Sequence, residues 1–275
     1  MTAPEGPYRG GHGEPLVLLH GASMSWRAWR PVLAGLEAHH EVLVPTMAGH
    51  RGGSPWPEGE PVGVAGIVDD VERLMDTAGT ATAHLAGNSL GGWVALELAR
   101  RGRARSVVAL SPAGGWGSPL DLRLLVWSFR LGSALGGSST VRAVAGRPRL
   151  RRLLLRRVLE RGDRVPSADV PGLFADMSDC AILHELLDGA AEHGGLAPFA
   201  ELPCQVRVAW AGRDRLTPWR RHGVPLRERL PGAEFVRLPR VGHVPMWDDP
   251  DLVVRAVLGV TARSADHPVP EEAPA

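Results

Sequence analysis

Three side chains in this sequence have the types and order needed for acyl transfer: Ser89, Asp214 and His243. A serine hydroxyl attacks a carbonyl only when a base takes its proton, and that base needs an acid to orient it. Ser89 sits in Gly87-Asn88-Ser89-Leu90-Gly91-Gly92. A Gly-x-Ser-x-Gly turn lifts its hydroxyl clear of a sheet only when a strand enters and a helix leaves. Ala83-His84-Leu85-Ala86 supplies a strand, and Trp93-Val94-Ala95-Leu96 a helix. Of eleven histidines, His243 is the best placed base, because Val241-Gly242-His243-Val244-Pro245 follows the last strand. Asp214 follows a strand in Ala211-Gly212-Arg213-Asp214 and lies between Ser89 and His243, the order this chemistry takes on an α/β sheet. Aspartate also favours plain turns, so Asp214 carries that second reading. Asp248 and Asp249 are expected to open the last helix, where a carboxylate meets the positive end of the dipole.

The oxyanion formed by such an attack needs two aimed donors. The N–H of Leu90, at a helix start, is one expected donor, and the N–H of Ala22 in His20-Gly21-Ala22 is the other. His20 is expected to brace that loop. Met24, Trp26, Trp116 and Trp247 follow the loops of the site, with Trp127 and Phe174 further along the chain. They are expected to line an apolar pocket for a hydrophobic acyl or aromatic substrate. No metal or organic cofactor is called for.

The elements that must hold these residues alternate. Leu16 to Leu19, Val42 to Val44, Ala83 to Ala86, Ser106 to Leu110, Val206 to Ala211 and Glu234 to Leu238 are short apolar runs that predict buried strands. Between them lie helical patterns: Trp26 to Leu36 capped by Ser25, Val64 to Asp76, Val224 to Leu230 and Leu252 to Leu258. This alternation predicts an α/β fold with a mostly parallel sheet flanked by helices. From residue 113 to 202 the rhythm breaks into helical patterns without a strand. Residues 1–112 and 203–262 are therefore expected to form the core, and 113–202 a helical insertion over the strand ends, where ligands bind. Arg142 to Arg164 reads as an amphipathic helix with a solvated basic face. The tail, 263–275, reads as disordered.

Composition narrows the remaining choices. With 275 residues and 44% hydrophobic content the chain is ordinary globular material. Its 31 basic and 30 acidic residues give no case for nucleic acid or membrane partners. A small molecule is the expected partner, and monomer and homodimer stay open. Every basic residue is arginine, so Schiff-base and Ser-Lys chemistries are excluded. Two cysteines, Cys180 and Cys204, make no disulfide framework, and Met1 to Pro7 has no signal-peptide pattern. The expectation is a cytoplasmic protein.

These motifs, in this order, resemble the α/β-hydrolase family. The carriers are His20-Gly21, Gly49-His50-Arg51-Gly52-Gly53-Ser54, the Ser89 turn, Gly212-Arg213-Asp214 with Pro218, and Gly242-His243 with Pro245. The resemblance implies Ser89, Asp214 and His243 as triad, Ala22 and Leu90 as oxyanion donors, and 113–202 as a mobile cap. Serine as nucleophile departs from the epoxide hydrolase and haloalkane dehalogenase branches, where the resemblance demands aspartate. Pro45-Thr46-Met47-Ala48 lacks the acid that often precedes the Gly-His loop, and the usual antiparallel first strand is expected to be missing. Gly-Asn-Ser-x-Gly-Gly and Trp247 are similar to carbon–carbon bond hydrolases of ring-cleavage products. Their glycine-rich oxyanion loop is replaced here by Gly21-Ala22-Ser23-Met24. A carboxylic ester hydrolase is the main expectation. A carbon–carbon bond hydrolase, a lyase or cyclase, and a ligand-binding receptor on the same fold are the alternatives.

Overall fold

Residues 7–136 and 138–262 are described by a computed structural model. The six apolar runs become strands and a seventh precedes them: β1 (Tyr8–Gly11), β2 (Glu14–Leu19), β3 (His40–Val44), β4 (Ala83–Asn88), β5 (Ala104–Leu110), β6 (Gln205–Ala211) and β7 (Glu234–Leu238). They form one sheet in the order β1-β3-β2-β4-β5-β6-β7. All neighbours are parallel except β1, which pairs antiparallel with β3 from Tyr8–Val44 to Gly11–Glu41. An antiparallel edge strand is therefore present, contrary to the expectation that it would be missing. Tyr-Arg-Gly-Gly has no apolar periodicity, so only pairing with β3 identifies it.

The sheet is buried on both faces because its strands alternate between two apolar clusters. Val17, Leu19, Leu85, Val107, Ala109 and Val208 point one way; Leu16, Leu18, Ala86, Val108, Leu110 and Ala209 point the other. The helices α1 (Leu33–Glu37), α2 (Val64–Thr77) and α3 (Leu90–Arg100) follow the first strands in turn. Ile67, Val71 and Met75 of α2 and Val94 and Leu98 of α3 cover the first face. The expected helix from Trp26 to Leu36 divides: Pro31 lies in a 3-10 stretch, Trp26–Val32, that precedes α1. Ser25 does not cap it and instead donates to Asp176.

Between β5 and β6 lie α4 (Pro119–Gly136), α5 (Ser139–Ala145), α6 (Pro148–Leu154), α7 (Val170–Ser178) and α8 (Leu183–His193). The single basic helix expected over Arg142 to Arg164 is broken here into α5, α6 and irregular backbone. Pro148 opens α6, and Arg151 is buried rather than solvated. Its guanidinium donates to the carbonyls of Gly162 (3.0 Å) and Ala145 (3.1 Å), satisfying backbone that the short helices leave unpaired. After β6 come α9 (Trp219–Arg229), α10 (Pro245–Asp248) and α11 (Pro250–Thr261). Val253, Val257 and Val260 of α11 cover the second face. The expected disorder of 263–275 lies outside the described residues.

The approach of α3 to the sheet sets the geometry of everything at the strand ends. A Cβ on Gly91 would lie 2.2 Å from the Leu19 carbonyl oxygen, and one on Gly87 2.1 Å from that of Gly91. Backbone stands against backbone, with no side chain to yield. Gly91→Ala must therefore push α3 off β2, and we expect destabilisation of at least about 2–3 kcal/mol in denaturant unfolding. An unchanged unfolding midpoint would contradict this packing.

Candidate active site

Ser89 is the hinge between β4 and α3, with φ 54° and ψ −115°. A serine holds this left-handed region only when its surroundings impose it. They do so through four backbone bonds, one of them from Trp93 N to the Ser89 carbonyl (3.2 Å). The Ser89 N–H donates to Leu110 O (3.0 Å), while its carbonyl accepts from Gly92 N (3.0 Å) and Ala113 N (2.9 Å). Ser23 (φ 56°) and Ser111 (φ 40°), just past β2 and β5, also have a positive φ. Strain is concentrated where the strands end.

Asp214 leaves β6 and faces His243, which leaves β7. Asp214 Oδ2 lies 2.7 Å from His243 Nδ1. A carboxylate only accepts, so Nδ1 carries the ring proton and the neutral imidazole presents a lone pair at Nε2. Nε2 is buried without a hydrogen-bond partner, and His243 lines the same cavity as Ser89. Asp214 is held by three donors besides the histidine. Its Oδ1 accepts from Leu216 N (3.0 Å) and Thr217 N (2.7 Å), and its Oδ2 from Thr217 Oγ1 (3.0 Å). Burial alone would raise the Asp214 carboxyl, but the neighbouring His243 and the Thr217 donors outweigh it and hold the pKa below the ordinary value.

Ala22 lines the cavity beside Ser89, and Leu90 opens α3 with an N–H that has no intrahelical acceptor. The loop carrying Ala22 is fixed by His20. Its Nδ1 donates to Gly21 O (2.8 Å), and its Nε2 accepts from Met47 N (3.0 Å) in the loop lacking the expected acid. Full burial, then His50 at 4.8 Å between ring centres, drives the pKa of His20 far below that of a free imidazole. A neutral ring that both donates and accepts is a brace.

The cavity holds about 210 Å³. Met24, Phe129, Leu155, Phe174 and Met177 supply apolar wall, and all but Met24 come from the inserted segment. Trp247 lines a side recess of about 80 Å³ that shares Met24 and Phe174 with it. Trp26, Trp116 and Trp127 are not in the wall, and Trp127 is exposed on a separate groove. Trp26 stacks on Tyr8 at 5.2 Å, and Trp116 meets Trp93 edge-on at 5.7 Å.

Four further residues, none expected at the site from the sequence, complete it. Thr217 touches both Asp214 and, at 3.0 Å, His243 Nδ1. Asp-x-x-Thr after a strand is a turn signal that could have flagged it. Asn88 donates through Nδ2 to the carbonyls of Leu110 (3.1 Å) and His243 (2.8 Å), tying the serine turn to the histidine loop. Asp248 does not serve as a helix cap; Asp249 does, by accepting from Leu252 N. Asp248 instead accepts from Gly242 N (2.7 Å), Glu160 N (2.9 Å) and Arg161 N (2.6 Å). Asp176, buried on α7, accepts from Ser25 and pairs with Arg51 at 2.9 Å. Both aspartates join the inserted segment to strand-end loops, a link invisible to local pattern.

A sequence profile of the alpha/beta hydrolase family matches residues 16–256. The epoxide hydrolase EphH of Mycobacterium tuberculosis is 34% identical over 209 residues, covering 73% of this chain and 96% of its own. A 2-hydroxy-6-oxo-6-phenylhexa-2,4-dienoate hydrolase of Burkholderia cepacia is 25% identical over 264 residues, or 92% of this chain and 89% of its own. Among solved structures, a thermophilic esterase of Thermogutta terrifontis matches with TM-score 0.70 at 22% identity, covering 94% of this chain and 92% of that one. The last likeness is one of fold.

The depressed pKa of Asp214 makes stability depend on pH. The folded state holds this proton less tightly than the unfolded chain does. The contribution is full above the ordinary carboxylate pKa and is lost as pH falls through the lower, folded value. Asp214→Asn should therefore show a smaller loss of melting temperature between pH 7 and pH ~3 than the parent protein. Equal losses in the two proteins would contradict the assignment.

Proposed function

The chain belongs to the alpha/beta hydrolase family, and from that premise we propose that it is a serine hydrolase cleaving a carboxylic ester of a small, largely hydrophobic substrate. The observation that carries this reading is the state of His243. Its Nδ1 is engaged by Asp214, and its Nε2 is unpartnered in the cavity that Ser89 lines. In the proposed reaction Nε2 takes the Ser89 proton as the oxygen attacks the ester carbonyl. The N–H groups of Ala22 and Leu90 receive the oxyanion. His243 then protonates the departing alcohol, leaving an acyl group on Ser89 Oγ. A water gives its proton to the same Nε2 and attacks the acyl carbon; the bond from that carbon to Ser89 Oγ then breaks as Nε2 returns the proton to Oγ, and the acid leaves. Asp214 keeps the imidazole oriented and stabilises its charged form, and Thr217 holds Asp214 in place.

The apolar wall and the modest volume support a small hydrophobic acyl group. The named activity of the epoxide hydrolase relative is not carried over, on chemical grounds. A serine oxygen that opened an epoxide would form an ether, which water does not cleave. Acyl transfer leaves an ester that the same base and a water can hydrolyse.

Carbon–carbon bond hydrolysis is the second reading, favoured by the dienoate hydrolase relative, whose alignment spans 92% of this chain. Parallel assays of p-nitrophenyl esters and vinylogous diketones separate the two. Ester turnover is expected to exceed diketone cleavage, and the reverse ranking would favour the second reading. Ser89→Ala should cut turnover of short p-nitrophenyl esters by about 10⁴-fold or more while the circular dichroism spectrum is kept. Parent-level turnover in that variant would overturn the serine mechanism.

A further inference from the structure

Among the described residues eight large apolar side chains are exposed, and seven of them lie in the inserted segment. Five are on α4: Leu120 (61% exposed), Leu124, Trp127 (57%), Leu131 and Leu135. Their spacing of three and four puts them on one face of the helix, a stripe about 22 Å long. Leu153 (66%) and Leu154 of α6 complete the set. α4 already has a packed face, with Leu122 and Leu125 buried and Val126 and Phe129 against the core. It is thus apolar on two sides and covered on one. Such a helix, in an otherwise well-covered protein, marks a docking face.

Two observations say what covers it. The first is continuity with the cavity. Leu131, Leu135 and Leu154 belong to the exposed set and also line the cavity that holds Ser89 and His243. The other end of the stripe, with Leu120, Leu124 and Trp127, lines a separate groove. The second is charge. Residues 113–164 contain eleven arginines and three acidic residues, whereas 165–202 contain seven acidic residues and no arginine. Arg123 and Arg130 lie in the groove with the stripe, Arg130 paired with Asp188, and Arg157 lines the cavity beside Leu154. A two-fold contact through this face would bring two strongly basic segments together. An anionic surface would be attracted by the same charges.

We propose that the exposed face of α4, with Leu153 and Leu154 of α6, docks on an anionic lipid bilayer. The bilayer then meets the mouth of the cavity, so an acyl substrate dissolved in lipid can enter without crossing water. The docking stands apart from the catalytic reading; only the route of the substrate rests on it. This departs from the expectation of no membrane partner. The near-zero net charge averages a basic half-segment with the acidic one after it. Contact is with the surface, because among the described residues no helix is long and apolar enough to cross a membrane.

Flotation of the full-length protein with phosphatidylcholine vesicles, with and without phosphatidylglycerol, tests this. Binding is expected only to the vesicles with phosphatidylglycerol and should weaken with added salt. Leu120→Glu/Trp127→Glu changes two exposed residues outside the cavity. It should lower vesicle affinity about tenfold or more while leaving the melting temperature and the turnover of a water-soluble ester unchanged. Arg123→Gln should lower it about fivefold. The proposal is overturned if neither vesicle binds, or if the double variant binds as well as the parent. It is also overturned if light scattering shows a dimer that the double variant dissociates, because a second copy then covers the face. Vesicle binding without any ester turnover would leave the docking intact and remove the catalytic reading alone.

Discussion

The site depends on how closely one helix approaches the sheet. α3 meets the ends of β2 and β4 backbone to backbone, at distances that leave no room for a Cβ on Gly87 or Gly91. That approach forces the chain to reverse within one residue, and the residue at the reversal is Ser89, held in left-handed geometry. The order of the sheet puts this reversal at its centre, with β2 flanked by β3 and β4. The crossovers diverge there and leave a crevice above the strand ends. Local strain of about 1–3 kcal/mol is the cost of turning Ser89 toward the cavity, and burial of both sheet faces supplies the restraint.

A second tier of contacts holds the loops around that point. Asn88 joins the serine turn to the histidine loop, Thr217 locks Asp214, and His20 fixes the loop that carries Ala22. Asp248 and Asp176 extend the same logic to the inserted segment. Asp248, in the core, gathers donors from the Gly242 turn and from the insertion, and Asp176, in the insertion, accepts from Ser25 and Arg51 of strand-end loops. Burial holds Asp248 above the ordinary carboxylate pKa in spite of its three N–H donors. Removing either acceptor would strand buried donors, which costs more than the bonds contribute. The inserted helices are therefore tied to the core at the rim of the cavity, where their side chains form its wall.

The legible part of this protein was the part whose signals are local. Apolar runs of three to six residues marked six strands, because a strand buried on both faces must be apolar throughout. Tyr8–Gly11 was missed since an edge strand of Tyr, Arg and two glycines has no such signature. Ser89, Asp214 and His243 stood out because each follows a strand. Thr217, Asn88 and Asp248 did not, since their roles lie in contacts between distant segments. The arginine-rich stretch misled in a specific way. Its leucines and arginines have helical spacing, but Pro148 interrupts them, and Arg151 turns inward to pair with carbonyls. Of the expected tryptophans, Trp26 and Trp116 found aromatic partners in the fold and Trp247 reached a recess of the cavity. Loop position alone does not distinguish these outcomes.

The central claim is that Ser89 is an activated acyl acceptor. It is tested most directly by treating the protein with a p-nitrophenyl alkylphosphonate and mapping the adduct by peptide mass spectrometry. The account predicts one adduct per chain, on Ser89, formed slowly or not at all in His243→Ala. A protein that stays unlabelled while folded, or that is labelled at another residue, would contradict it.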